Sequence, residues 1–568
     1  MIDTGGIWYI CCLKYFEQYE RRNNMDTIFL NGNVCTMDEH MPEAQAVAVK
    51  NGVITAVGSN EEVMAENSAV TEIIDLGGRM LLPGFTDSHM HLMAYAAGKR
   101  MVDLSDAESL EDVCERCAAP VSEMQQTGEW IQGLGFNQDN WSEKVIPTRK
   151  DLDRVSTEVP IVIRRACFHL SVCNTKAMEN IGLMEPDGES NELGSPGIGY
   201  YADGTPNGIL YEDTQNLVNR NIPRMSVPQL KELILEGLSD VAAQGITEIH
   251  TDDFMSGYAS DSDFHPYFQA YCELADEGKL PVRVYQQCSL WSKKDLEGFL
   301  AEGHRTGEEH GLYRLGPLKL IVDGSLGAHT AKLKQPYKND PSANGCLNHS
   351  GEELYILCKL AQEKGMQIAA HCIGDGAIQV MLEVYKKIQQ EHPEHDMRHG
   401  IVHCQIMDTR QQDEMRRQGL LAYVQPVFLR SDMNIVEKCV GQRLASQSYG
   451  WRRLADLGVH LSGGSDCPVE PFDILPNLEY AVTRTNPDTG QSFYPENGLE
   501  IDEALRMFTL EGAYASFSED NRGSITVGKN GDLTVLDRDL RKRPEEEIHM
   551  ARVLMTMVQG RIVYRADW

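Results

Sequence analysis

The chain has 568 residues, of which 42% are hydrophobic and 24% are charged. This composition excludes a small disulfide scaffold and a disordered, collagen-like or coiled-coil chain, and the length predicts several domains or one enlarged barrel. The 52 basic and 85 acidic residues give a net charge of −33, and basic residues form no run that could follow a phosphate backbone. We therefore expect no nucleic acid and no anionic membrane as a partner.

The N-terminal 24 residues show none of the features of a secretory signal, because their apolar patch is short and no small-residue cleavage pattern follows it. We predict a disordered or spurious extension over residues 1–24, with the folded part opening at Met25. The fifteen cysteines are odd in number and scattered, which favours a reducing compartment and predicts a cytoplasmic protein.

Both ends of the folded part are rich in short strand-like segments. Asn51-Gly52 has the composition of a hairpin turn between two apolar runs. Similar strand-like segments with turn residues occur in GSITVGKNGDLTVLD near the C-terminus. We predict one discontinuous β-sandwich domain built from residues 25–82 and 519–568.

The middle of the chain alternates apolar strand-like runs with helical stretches, which is typical of a parallel sheet with crossover helices. Eight candidate strands lie at 82–89, 245–250, 282–289, 316–323, 367–373, 399–405, 421–426 and 460–466. Eight such strands predict an α/β fold of the (β/α)₈ TIM-barrel type over residues 83–518. We interpret the stretch at about 100–240 as an insertion over the active-site mouth.

Polar residues capable of binding a metal fall at the ends of the predicted strands. They are His89, His91, Lys319, His371, His403 and Asp466. The carboxyl ends of barrel strands converge on one mouth. Residues i and i+2 of a strand point to the same side, so His89 and His91 can bind one ion together. Imidazole and carboxylate groups suit Zn²⁺, and also Mn²⁺, Fe²⁺ or Co²⁺.

The motifs that contain these residues resemble those of the amidohydrolase superfamily, in particular the amidohydrolase-3 group that includes N-substituted formamide deformylases. They are LLPGFTDSHMHL, LKLIVDGSLGAHTA, IAAHCIGDGAI, IVHCQ and GSDCPVEP, closed by GSITVGKNGDLTVLD. The resemblance implies a metal-dependent hydrolase with one or two divalent ions, most simply zinc. It implies that His89 and His91 bind one metal, that His371 and His403 bind the second, and that a carboxylated Lys319 bridges both.

The resemblance also implies that Asp466 binds metal and moves the proton during hydrolysis by a metal-bound hydroxide. A metal lowers the pKa of bound water from ~15.7 towards ~7, and an amine leaving group needs a proton. The run RRACFHLSVCNTKAM resembles the group's RxxxHxxxxN segment and makes His169 a candidate for stabilising the oxyanion. Supporting or substrate-contacting roles are expected for Asp323, Asp375, Glu470 and Arg430.

The predicted function is cleavage of a non-peptide C–N bond in a small-molecule amide, N-formyl or N-acyl compound. A deaminase and a cyclic-amide hydrolase remain alternatives, because the same metal chemistry serves all three reactions. From another class, the chain could be a metal-binding relative without activity. A homo-oligomer is an open expectation.

Overall fold

The structure is a computed structural model that describes residues 26–68, 71–166, 169–184, 197–254, 263–290, 292–393 and 397–568. The extension predicted over residues 1–24 lies outside these ranges. The chain divides into two compact units. The first comprises the residues up to Leu92, Ile234–Phe254 and Tyr267–Trp568, and the second comprises Met93–Leu233 with the described part of 255–266.

Eight parallel strands of the first unit form one nearly closed sheet, which confirms the predicted TIM-barrel type of α/β fold. We label them β1 (Phe85–Met90), β2 (Ile246–Thr251), β3 (Arg283–Ser289), β4 (Tyr313–Ile321), β5 (Ile368–Cys372), β6 (Gly400–His403), β7 (Leu421–Val424) and β8 (Leu461–Gly463). They neighbour one another in chain order, and the short strand Glu309–His310 pairs with β4. Almost all of their residues are buried, as expected when helices cover a parallel sheet.

Backbone hydrogen bonds join the end of β1 to the segment that follows β8. The Asp466 amide donates to the His89 carbonyl at 2.7 Å, and the His91 amide donates to the Cys467 carbonyl at 2.7 Å. Gly464 permits this approach, because a Cβ there would lie 2.7 Å from the His89 backbone nitrogen. The first and last strands therefore meet at the level of the predicted ligands.

Helices follow most of the barrel strands. The helix Thr409–Gln418 begins with a capping box between Asp408 and Gln411 and ends at Gly419 in the left-handed conformation. The other α-helices of the first unit are Asn60–Met64, Lys293–Ala301, Gly351–Glu363, Asp375–Glu391, Leu429–Asp432, Val436–Val440, Gln442–Ala445, Trp451–Asp456, Ile474–Thr483, Ile501–Met507 and Leu510–Ala515. Helices with residues in both units are Leu92–Lys99, Val227–Ala243 and His265–Asp276.

Strands from the two ends of the folded chain form two further sheets of the first unit. One has the order Val53–Gly58, Ala46–Lys50, Thr27–Leu30, Glu72–Asp75. The other has the order Arg561–Arg565, Val553–Val558, Leu533–Leu536, Met80–Pro83, Asn33–Cys35, Glu43–Ala44. Phe29 and Val47 of the first sheet pack in the same apolar core as Val535 and Met555 of the second. The predicted turn at Asn51-Gly52 joins two antiparallel strands, and both of its residues have positive φ angles.

The second unit contains a six-stranded mixed sheet. Its order is Ile198–Tyr200, Pro206–Tyr211, Leu170–Cys173, Ile161–Arg165, Ile131–Phe136, Val102–Asp103. Its α-helices are Leu110–Ala118, Val121–Thr127, Arg149–Leu152, Thr175–Asn180 and Asn216–Asn221. Buried apolar side chains that include Trp141, Ile161 and Val172 give this unit its own core.

Within the described ranges, every helix is too short or too polar to cross a bilayer.

Candidate metal centre

Three predicted ligands from distant parts of the sequence meet at the carboxyl ends of the barrel strands. The ligand atoms of His89, His403 and Asp466 all lie within 4.8 Å of one another. His89 Nε2 is 3.2 Å from Asp466 Oδ1, and the three side chains are buried. This separation leaves a position that one ion could share among an imidazole pair and a carboxylate.

Two glutamines fix the orientation of the histidine rings. His89 Nδ1 lies 2.8 Å from Gln287 Oε1, and His403 Nδ1 lies 2.8 Å from Gln425 Oε1. An amide oxygen only accepts hydrogen bonds, so each Nδ1 carries the hydrogen and each Nε2 keeps its lone pair. This is the tautomer required for a metal ligand that binds through Nε2.

His91 lies beside the Asp466 carboxylate, and Lys319 lies beside the His89 ring. His91 donates from Nδ1 to the Asp252 carbonyl oxygen at 3.1 Å, and its Nε2 is 3.2 Å from Asp466 Oδ1. Lys319 Nζ is 3.0 Å from His89 Nε2, and its side chain is buried. The arrangement therefore brings the predicted lysine into direct contact with a predicted ligand.

His371 contacts His403 of the cluster, and the centroids of the two rings are 4.4 Å apart. His371 Nε2 is 3.3 Å from the Gly324 carbonyl oxygen and 3.6 Å from Asp323 Oδ1. Donation from Nε2 to the carbonyl leaves Nδ1 as the ring nitrogen with a lone pair. Asp323 also accepts hydrogen bonds from the backbone amides of Lys332, Ile373 and Gly374.

Burial controls the charge of these groups. It lowers the pKa of His89 to about 3 and that of His371 to about 4, and it lowers the pKa of His403 well below its ordinary value. Burial alone would raise the pKa of Asp466, but contacts with His89 and His91, whose Nε2 atoms each lie 3.2 Å from its Oδ1, hold that pKa well below its usual range. Burial alone would lower the pKa of His91, but the same carboxylate raises it. The site thus combines neutral imidazoles at His89, His371 and His403 with an ionised carboxylate, which are the protonation states that metal binding requires.

The backbone is strained where these ligands emerge. His403 has a φ of 80°, Cys404 has 50° and Asp466 has 61°, and none of the three is glycine. Left-handed conformations of such residues persist only when the surrounding structure enforces them, and they are frequent at functional sites.

The other predicted supporting residues have local partners. Asp375 accepts a hydrogen bond from the Lys334 amide at 2.9 Å at the start of its helix. Glu470 accepts from Ser431 Oγ at 3.0 Å and lies 4.0 Å from Arg430 Nη1. These contacts hold the loops after β4, β7 and β8, whereas Asp323 contacts a predicted ligand itself.

His169 belongs to the second unit and is exposed there. Its predicted role towards the substrate therefore stays a prediction. The thiols of Cys372, Cys404 and Cys467, each next to a predicted ligand, are free and buried. Burial raises the pKa of all three, which is typical of thiols that pack in a core rather than of thiolate ligands.

Four polar residues that contact the ligands were missed by reasoning from the sequence: Gln287, Gln425, Asp252 and Asp87. Asp87, which is completely buried, accepts hydrogen bonds from the His89 amide and from Ser465 Oγ, and so ties β1 to the segment after β8. Asp252 Oδ2 accepts from Ser289 Oγ at 2.7 Å. The available signal was position, since each residue lies on, or directly after, a predicted barrel strand.

The donor set fits a divalent metal ion. It offers histidine nitrogens in the binding tautomer, an ionised carboxylate and a buried lysine, all at one barrel mouth. Asp252 Oδ1 is also buried and accepts no hydrogen bond from any group among the described residues. An unsatisfied buried carboxylate oxygen is costly, and a cation nearby would relieve that cost.

Fold and site together define a TIM-barrel protein with a candidate metal centre at its strand ends. The model of the amidohydrolase family matches residues 72–564, and the chain belongs to this family. It is 31% identical over 553 residues to YtcJ of Bacillus subtilis, a protein assigned to the amidohydrolases, covering 95% of this chain and 99% of the relative. It is 27% identical over 560 residues to the N-substituted formamide deformylase of Arthrobacter pascens, covering 95% and 98%.

Among solved structures, an uncharacterized metal-dependent hydrolase from Pyrococcus horikoshii superimposes with a TM-score of 0.76 at 25% identity. The match covers 92% of this chain and 99% of that chain. These likenesses agree with the barrel and with a metal-dependent hydrolase.

Proposed function

We propose that the protein is a metal-dependent hydrolase that cleaves the non-peptide C–N bond of an N-substituted formamide or another N-acyl amide. The observation that carries this proposal is the meeting of His89, His403 and Asp466, with each histidine held in its metal-binding tautomer. The likeness to an N-substituted formamide deformylase over nearly the whole chain supports the bond type.

The residues proposed to hold one or two divalent ions, with zinc first among the candidates, are His89, His91, Lys319, His371, His403 and Asp466. A metal ion here would supply Lewis-acid polarisation of the substrate carbonyl and acidify water. Burial lowers the pKa of Lys319, which favours the neutral amine that carboxylation requires. We therefore include a carboxylated Lys319 in the proposal.

Asp466 is proposed as the group that moves the proton. Its ionised carboxylate lies at the centre of the cluster, in contact with His89 and His91. From this position it would take a proton from the attacking water and pass it to the leaving nitrogen, which cannot depart as an amide anion. His169 is proposed as a further group that binds the substrate carbonyl.

The products of hydrolysis test the bond type. We would incubate the purified protein with a panel of N-substituted formamides and N-acyl amines, with and without added Zn²⁺, and measure both amine and carboxylic acid. Equal amounts of the two are expected from wild type and from Asp413→Asn, which changes a half-exposed carboxylate paired with Arg453 on an outer helix. Asp466→Asn should release neither product above background.

Other products would favour one of the alternative functions. Ammonia release from a heterocycle would indicate a deaminase, and a single ring-opened acid from a lactam would indicate a cyclic-amide hydrolase. Absence of hydrolysis across the panel, at every metal supplement, would indicate a metal-binding relative without activity.

The proposal also covers the location of the protein, the size of its substrate and the terminal domain. The free thiols of the described cysteines support a reducing, cytoplasmic location, and the substrate is proposed to be a small molecule. We further propose that the two terminal sheets form a β-sandwich domain, because their inner faces share one apolar core.

A further inference from the structure

His89 and His403 each donate a hydrogen bond to an uncharged side chain. Gln287 Oε1 and Gln425 Oε1 each accept from a ring Nδ1 at 2.8 Å. The two glutamine side chains are buried almost completely, so water does not compete for these bonds. A carboxylate would fill the same geometric role but would add a negative charge to a site that already contains Asp466.

The orientation of each amide follows from its second hydrogen bond. Gln287 Nε2 donates to the Ser88 carbonyl at 3.1 Å, and Gln425 Nε2 donates to the Tyr423 carbonyl at 3.4 Å. A flipped amide would direct its oxygen at a carbonyl oxygen, so the flip would lose the hydrogen bond to that carbonyl. The amide oxygen therefore faces the imidazole in both pairs.

Each glutamine comes from a different strand than the histidine it holds. Gln287 lies on β3 and reaches a ligand on β1, while Gln425 directly follows β7 and reaches a ligand on β6. The orientation of each ring is consequently fixed by two strands of the barrel rather than by its own strand alone. A ring held in this way cannot turn away from the site without breaking a buried hydrogen bond.

We infer that Gln287 and Gln425 are positioning residues that hold His89 and His403 in the Nε2-binding tautomer and keep them neutral, moderate donors to the metal. The inference rests on the metal centre of the proposed function and on no particular substrate. Partners of ligand histidines commonly contribute about 10- to 100-fold to metal affinity. Removal of the amide oxygen should therefore weaken binding, and an acceptor of the same shape should weaken it less.

The test compares metal affinity in four variants of the full-length protein. Gln287→Met and Gln425→Met keep the side-chain length and remove the acceptor, while Gln287→Glu and Gln425→Glu keep an acceptor of the same shape. Dissociation constants for Zn²⁺ would be measured by competition with a chromophoric chelator. The visible spectrum of the Co²⁺-loaded protein would report the ligand geometry.

We expect each methionine variant to bind Zn²⁺ about 10- to 100-fold more weakly than wild type. Each glutamate variant keeps the acceptor for the imidazole but sets a second oxygen against a carbonyl oxygen, so it should bind more tightly than the methionine variant at the same position. The Co²⁺ spectrum should change more in the methionine variants than in the glutamate variants. Gln412→Met is the matched control, because Gln412 is equally buried on the helix Thr409–Gln418 and donates to the Gln447 carbonyl. It should bind Zn²⁺ like wild type.

Wild-type affinity in both methionine variants would overturn the inference, as would equal weakening by methionine and glutamate at the same position. If one methionine variant does not fold, as shown by circular dichroism, the methionine variant at the other glutamine decides through its affinity. These outcomes are distinct from failure of the proposed function, because a wild-type protein that binds Zn²⁺ and cleaves no amide would contradict only the reaction.

Discussion

The mouth of the barrel and the two terminal sheets are built in opposite ways. At the mouth, buried histidines and carboxylates gather in one cluster, and His403 and Asp466 have left-handed backbone angles. In the terminal sheets most of the buried side chains are apolar, as with Phe29 and Val535, which are completely buried. Strained backbone and buried charged groups are concentrated at the mouth, whereas the terminal sheets bury apolar side chains.

The difference separates what holds the fold from what performs the chemistry. Burial of an apolar side chain stabilises a domain by about 1.5–3 kcal/mol, whereas an isolated buried polar group costs free energy. The carboxylate of Asp252, with one buried oxygen that lacks a partner among the described residues, is such a cost. Changes at the mouth should therefore affect activity first, and changes in the terminal sheets should affect stability first.

The largest effect is expected at Asp466. Asp466→Asn should reduce kcat by about 10²- to 10⁴-fold, because the amide cannot move the proton, while bound metal is largely retained. Steady-state kinetics and metal analysis on the same preparation would check this prediction. Unchanged turnover would remove Asp466 as the proton carrier.

The opposite behaviour is expected at Phe29. Phe29→Ala should lower the free energy of unfolding by about 3–5 kcal/mol through lost burial and a cavity, with kcat per folded molecule unchanged. Urea titration followed by circular dichroism would measure the loss, and activity would be normalised to the folded fraction. A large fall in kcat at full folding would contradict the separation of the two regions.

A buried ion pair links the barrel to a terminal sheet. Arg283, the first residue of β3, donates from Nε to Asp532 Oδ2 at 2.8 Å, and both side chains are buried. Arg283→Met should destabilise the protein by about 3–5 kcal/mol, because it leaves a buried carboxylate without its cation. Arg453→Met removes a half-exposed pair with Asp413 and should cost less than about 1 kcal/mol by the same urea titration. Equal costs would contradict this ranking.

A smaller effect than the loss of the buried ion pair is a pH dependence at Asp432, the last residue of the helix Leu429–Asp432 after β7. Burial raises its pKa to about 6, a shift opposed by the hydrogen bond from Tyr449, and Gln405 and Glu470 also face it. The folded state therefore holds the proton more tightly than the unfolded state, so this contribution to stability falls as pH rises from about 4 to about 6. The loss should total up to about 3 kcal/mol.

Asp432→Asn should remove this pH dependence. Unfolding midpoints in urea at pH values between 4 and 7 would be compared for wild type, Asp432→Asn and the half-exposed control Asp413→Asn. A variant profile parallel to wild type across this range would contradict the assignment.

Much of the barrel could be predicted from the sequence, because parallel strands buried on both faces appear as apolar runs at regular intervals. All eight predicted strands occur, and five of the six residues predicted as ligands are histidines or an aspartate at or near strand ends, where the sequence pattern indicates them. Gln287 could not be predicted, because its partner His89 lies 198 residues away and a glutamine on a strand has no distinctive pattern. Pairings of this kind depend on the closure of the barrel, which spacing along the chain does not encode.

The metal content of His403→Ala tests the central claim most directly. Wild type, His403→Ala and His399→Ala would be purified without chelators and measured by plasma mass spectrometry. His399 is the matched control, because it is equally buried but is bonded to Gln362 and to the Ile368 amide instead of the cluster. We expect stoichiometric divalent transition metal in wild type and in His399→Ala, and a clear loss in His403→Ala. Trace metal in wild type, or wild-type content in His403→Ala, would contradict a metal centre at this site.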